Sequence, residues 1–287
     1  MRRSGTRIVA AFALRESLRR RVFAVVGLLT VAFLVLYGLG TWQLYGTIDE
    51  FEASGFEGVE AGTVFGATLL GLAMFATLFL GTILAVFLTL GAVRGDAERG
   101  LLQPLLVRPV SRATVLAGRY AAAASVCAGY VVAVFVATAV ITWALGGWWP
   151  DRVLVPALEL AAAVAILTAL SLAGSVLLSA TANGIAVFMV FGAGLVAGLL
   201  GQIAEALGSE TLSDIATGVS WALPFEALYQ QALASITADT FGFTRLAIDL
   251  GPFGGAQTFG PLLWPWAIAY LAAVGAGAAV AFGRRDL

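Results

Sequence analysis

Residues 61–93 read AGTVFGATLLGLAMFATLFLGTILAVFLTLGAV, and residues 94–112 follow at once with RGDAERGLLQPLLVRPVSR. The first stretch holds no charged residue. Wound as a helix it is about 50 Å long, against a bilayer hydrocarbon core of about 30 Å. It therefore crosses the membrane and either tilts or extends beyond the lipid. The abrupt change at Arg94 marks a membrane boundary. Five further stretches share this character, at 22–45, 113–145, 153–180, 184–201 and 262–282. The fourth and fifth are separated by Thr181, Ala182 and Asn183, which read as a tight turn. The first is too long for a signal-peptide core and lacks a small-residue cleavage site, so it is expected to stay attached.

Composition agrees. The chain of 287 residues is 60% hydrophobic and 11% charged, with a mean hydropathy of +0.96. A soluble domain carries about 25% charged residues, so this chain has too little polar surface for a water-facing fold. The expected fold is an all-α integral membrane protein with six spans, a single transmembrane domain over 1–287. Histidine is absent and Cys127 is the only cysteine. His-held haem, zincin-type metal sites, Ser-His-Asp catalysis, disulfides and Cys-rich metal cages are excluded. All 16 basic residues are arginine, so no P-loop of the form G-x-x-x-x-G-K-[ST] exists in the chain. No catalytic, cofactor-binding or metal-ligating residue is expected, and no nucleic-acid partner.

Arginine predicts the sidedness, because cytoplasmic flanks accumulate basic residues. Arg2, Arg3, Arg7, Arg15, Arg19, Arg20 and Arg21 precede span one. Arg94, Arg99, Arg108, Arg112 and Arg119 flank the connection from span two to span three, and Arg284 and Arg285 follow span six. Only Arg152 and Arg245 fall on the other side, fourteen against two. Both termini are expected in the cytoplasm. Trp42, Trp143, Trp148, Trp149, Trp221, Trp264 and Trp266 cluster near the opposite boundary, as an interfacial aromatic belt does.

Residues 1–21 form a basic segment at the inner surface, read either as a weakly amphipathic helix or as an electrostatic anchor. Residues 202–261 form a long external region. Within it Phe225, Leu228, Tyr229, Ala232, Leu233 and Ile236 recur at helical spacing, with Glu226, Gln230 and Gln231 opposite. Pro224 suits a first helical turn. An external amphipathic helix is expected there, lying on or dipping into the outer leaflet. Glu159, just inside span four, reads either as a pathway-marking intramembrane carboxylate or as a snorkelling interfacial one. The acidic stretch Asp49, Glu50, Glu52, Glu57 and Glu60 reads as a cation-attracting or merely solvated loop. Gly62-x-x-x-Gly66 and Gly194-x-x-x-Gly198 permit close helix approach, in a dimer or by chance within the chain.

The segment 94–112 resembles the loop after the second span in permeases of the type-2 ABC exporter family: Glu-x-Gly, a leucine-rich stretch, then Pro-[VI]-Ser-Arg. The matching positions are Glu98, Gly100, Leu102, Leu105, Leu106, Pro109, Val110, Ser111 and Arg112. Arg15-Glu16-Ser17-Leu18-Arg19-Arg20-Arg21 is similar to the family's N-terminal pattern, and Phe282-Gly283-Arg284-Arg285-Asp286-Leu287 to its common ending. Pro104 departs from the middle motif. The resemblance implies a permease that dimerises, with a homodimer as the simplest case. Two separate ATPase subunits hold the ATP and Mg, and this chain holds none. It also implies that the loop after span two carries a coupling helix docked on the ATPase, with Arg108 at its edge. Spans two and five would flank the pathway, making Phe65, Phe75, Phe79, Phe188 and Phe191 candidate lining residues beside Glu159; ordinary packing is the alternative for each. The branch serving maturation of nitrous-oxide reductase has a length and architecture that suit this chain. The implied location is the plasma membrane of a prokaryote.

Two other functions compete. A secondary transporter or channel would use Glu159 and interrupted helices near the midplane. An intramembrane enzyme would need a catalytic set that a histidine-free chain, with no aspartate securely inside a span, does not offer.

Overall fold

The computed structural model describes residues 22–48, 59–90, 112–249 and 256–284. These form nine α-helices and no strand: α1 (Val22–Tyr45), α2 (Ala61–Thr89), α3 (Arg112–Gly146), α4 (Leu154–Leu177), α5 (Ala180–Leu207), α6 (Glu210–Ala222), α7 (Pro224–Ser235), α8 (Gly242–Asp249) and α9 (Leu263–Gly283). Six of them, α1 to α5 and α9, are long and apolar enough to cross a membrane. Helices are what such sequences form, because hydrocarbon offers no partner for a free backbone N–H or C=O. Hydroxyls inside the spans obey the same constraint. Thr41, Thr82, Thr142 and Thr168 each donate to the carbonyl four residues back.

The bounds of spans one, three and six lie within one residue of those expected, whereas spans two, four and five differ, the last running on to Leu207. Span two ends at Thr89, four residues before the apolar run does, with Leu90 leaving the helix at ψ 119°. The turn between spans four and five lies at Leu178 and Ser179, not at Thr181–Asn183. Leu178 is extended, and its N–H still reaches Gly174 O at 2.8 Å. Thr181, Ala182 and Asn183 form the first turn of α5. Asn183 is helical because its Nδ2 donates back across the turn to Ser171 O at 2.9 Å, tying α5 to α4.

The centre of the bundle is α4, which packs against α2, α3, α5, α7 and α9. Leu160, Val164 and Leu167 are fully buried there, beside Leu70, Met74 and Leu78 of α2 and Phe135 of α3. Three helices converge at Gly81. A Cβ at that position would collide with Val131 of α3 and crowd Val164 of α4. By contrast, α1 and α9 expose most of their surface. Hydroxyl pairs hold α1 to α3, Tyr37 Oη with Thr142 Oγ1 at 2.5 Å and Thr30 Oγ1 with Tyr130 Oη at 2.6 Å. With 35 residues, α3 is about 52 Å long and outreaches the hydrocarbon core.

The described residues of 202–261, expected to hold one amphipathic helix, hold the end of α5 and three further helices. Together α6 and α7 form a hairpin inserted from the arginine-poor end of the bundle. Its tip, at Leu223 and Pro224, brings Phe225 against Gly194, thirteen residues or about 20 Å below the end of α5. Its far end returns to the rim, where Asp151 N donates to Ile236 O at 3.1 Å and Asp239 N to Asp151 Oδ2 at 2.8 Å. Pro224 opens α7 as expected. The helix dips deep and is sheathed by α4, α5, α6 and α9, so the face that carries Glu226 and Gln230 meets protein rather than water.

Candidate functional site

Two features converge where the hairpin enters the bundle, a run of phenylalanine rings and a set of buried carboxyl and carboxamide groups. On α2, Phe75 and Phe79 are one turn apart; on α5, so are Phe188 and Phe191. Ring centroids lie 6.4 Å apart for Phe75–Phe79, 6.4 Å for Phe75–Phe191, 5.9 Å for Phe79–Phe191 and 6.0 Å for Phe79–Phe188. Phe191 stacks in turn on Phe225 of α7 at 6.1 Å. Separations of 4.5–7 Å are those at which aromatic rings attract one another. The run grades from enclosed to open: Phe225 is fully buried, while Phe79 is 38% exposed.

Four of the five candidate lining phenylalanines thus meet between α2 and α5. Phe65 does not. It lies nearly three turns away on α2 and packs edge-on against Tyr45 of α1 at 6.3 Å. Phe225 completes the run and was missed, because its spacing marked it only as the apolar face of an amphipathic helix. Its partner Gly194 was visible in the sequence, but a glycine does not announce what fills its notch.

Glu159 is fully buried, which rules out the snorkelling placement. Its Oε1 accepts from Gln231 Nε2 of α7 at 2.7 Å. A second carboxyl, Glu226, is also fully buried, and its Oε1 accepts from Gln230 Nε2 at 2.8 Å. The notch for this pair is Gly198 of α5, where a Cβ would overlap both Glu226 Oε1 and Gln230 Nε2. Burial pushes the Glu226 carboxyl up to about 7, only partly offset by the Gln230 hydrogen bond. The neighbouring Tyr229 hydroxyl is pushed well above its ordinary range by burial and by Glu226.

Both small-residue motifs are thus occupied within the chain. Gly194 and Gly198 seat α7. Gly66 seats the Trp148 ring, and the carbonyl of Gly62 accepts from Tyr45 Oη at 2.8 Å.

Of the acidic stretch only Glu60 is among the described residues. It stands at the start of α2, where its Oε2 accepts from Thr63 Oγ1 at 2.8 Å. Of the expected docking loop, Glu98, Gly100, Leu102, Leu105, Leu106, Arg108, Pro109 and Ser111 lie outside the described residues, and Arg112 opens α3. The basic segment 1–21 also lies outside them.

A family model described as ABC-2 family transporter protein matches residues 7–287. Comparison with curated proteins gives no match.

Proposed function

The chain belongs to the ABC-2 transporter family, and from that premise we propose that it is the membrane subunit of an ATP-driven exporter. It works as a dimer whose energy comes from two separate ATPase subunits. The observation that carries this reading is a family match over nearly the whole of a six-span chain. The absence of lysine supports it further, since the phosphate-reaching side chain of a P-loop must then come from another polypeptide.

The loop 98–112 is the docking element in this reading. Its leucines offer apolar anchors to a soluble partner, and its arginines orient the contact. Phe75, Phe79, Phe188 and Phe191 line the route between α2 and α5, with both termini and the docking loop in the cytoplasm of a prokaryotic cell. Such a lining suits a cargo with apolar surface. The test is co-expression of the chain with the ATPase encoded beside it, followed by purification through a tag on the permease alone. Two ATPase copies should co-purify per permease dimer, and vanadate-sensitive hydrolysis should appear only with them. Robust hydrolysis by the permease alone, or failure of any ATPase to bind, overturns the assignment.

A further inference from the structure

Among the described residues, six buried side-chain polar atoms have no hydrogen-bond partner, and four of them belong to two carboxyl–carboxamide pairs, one within α7 and one between α4 and α7. In each pair one hydrogen bond is made, from the carboxamide N–H to a carboxyl oxygen. In each pair the two remaining oxygens are unpartnered: Glu226 Oε2 with Gln230 Oε1, and Glu159 Oε2 with Gln231 Oε1. All four are acceptors, so no rearrangement within the pairs can satisfy them. A single proton can. A carboxylic acid and a primary carboxamide are complementary: the amide N–H donates to one carboxyl oxygen and the acid O–H donates to the amide oxygen. One proton on each Oε2 would supply the donor that both orphaned acceptors of the pair lack. It also removes a charge from a site where an unpaired carboxylate is strongly disfavoured.

We propose that α7 is seated in the bundle by two bound protons, one completing the Glu226–Gln230 pair against Gly198 and one completing the Glu159–Gln231 pair between α4 and α7. Loss of these protons leaves two carboxylates inside the protein and drives the hairpin outward, so the arginine-poor end of the pathway is gated by proton binding. The surrounding charges are few. Two groups favour the charged form of Glu159: the Ser235 hydroxyl, which stands within reach of the carboxyl and otherwise donates to Gln231 O at 2.9 Å, and Arg152, which acts through its field. Tyr229 adjoins Glu226. On α6, Glu210 and Asp214 are exposed, and α5 carries Glu205 two turns closer to its end. On α9, Tyr270 is the titratable group within the helix. This inference is independent of the ATPase assignment, because it concerns the isolated chain.

The test is infrared spectroscopy of the full chain in nanodiscs, titrated from about pH 6, where exposed carboxylates are already ionised, to about pH 9. The wild type should lose acid carbonyl absorption equal to two carboxyls. Glu159→Gln and Glu226→Gln should each remove about half of that change and the double variant all of it; glutamine keeps the shape and supplies the donor at every pH. Seating is read separately from the labelling rate of Ala234→Cys in a Cys127→Ser background. At high pH that cysteine should react several-fold faster with wild-type carboxyls than in the double glutamine background, which corrects for thiolate formation. A flat wild-type titration, or one unchanged by both substitutions, overturns the proton sites. Equal labelling rates overturn the gate.

Discussion

Gly198 is defined by what stands in its place: the Glu226 carboxyl and the Gln230 carboxamide fill the volume that a side chain would occupy. Gly198→Val should therefore unseat α7 and cost about 1–3 kcal/mol, the usual penalty for overpacking. Gly66→Val should do the same by displacing the Trp148 ring. Gly129→Ala and Gly192→Ala supply the control. Nothing lies within 4 Å of the added methyl at either position, and alanine in a helix is worth about 0.5–1 kcal/mol over glycine. Thermal denaturation of the four variants in one detergent checks the ordering. Glu226 adds a pH dependence of definite sign. Its carboxyl rises from 4.5 to about 7 on folding, so the stability it contributes is complete below the lower value and is lost as pH rises through the upper one. Glu226→Gln should flatten that part of the melting-temperature profile, with the two proteins diverging between about pH 4.5 and about 7 and keeping a constant gap above it.

Among the elements, α1 matches its expected bounds, and α3 and α9 are each within one residue of theirs at both ends. In all three the apolar run itself determines where the helix begins and ends. The break between α4 and α5 was misplaced because Asn183 looks like a turn residue, while its side chain is engaged with Ser171 O of the preceding helix. The depth of α7 was illegible for a related reason. Glu226, Gln230 and Gln231 read as a face that needs water, and only the folded chain shows them answering one another and Glu159. The aromatic run was legible on α2 and α5 but not on α7, since a ring's partner on a distant helix leaves no mark on local spacing. The loop 98–112 carries its own prediction. Leu102→Asp with Leu105→Asp should leave insertion intact yet abolish ATPase co-purification, because each buried leucine is worth about 1.5–3 kcal/mol. Arg112→Glu should weaken the complex more at low salt than at high salt, as screening already diminishes an exposed charge.

At the level of the whole molecule, sidedness is the property most open to a direct check. Thr211 on α6 is exposed at the arginine-poor end, and Cys127 is fully buried. In a Cys127→Ser background, Thr211→Cys should react with an impermeant maleimide in intact cells, whereas Ser4→Cys and Ser111→Cys should react only after lysis. Labelling at position 4 or 111 in sealed cells would reverse the topology. The length of α3 bears on how the two faces communicate. The helix is an uninterrupted rod from Arg112, next to the proposed docking loop, to Gly146 at the opposite rim. Val131 sits in the notch of Gly81 near the middle of this rod, about 28 Å from Arg112 and about 22 Å from Gly146. Because the helix is unbroken on either side of that contact, a displacement imposed at one face has no hinge within α3 to absorb it before the other.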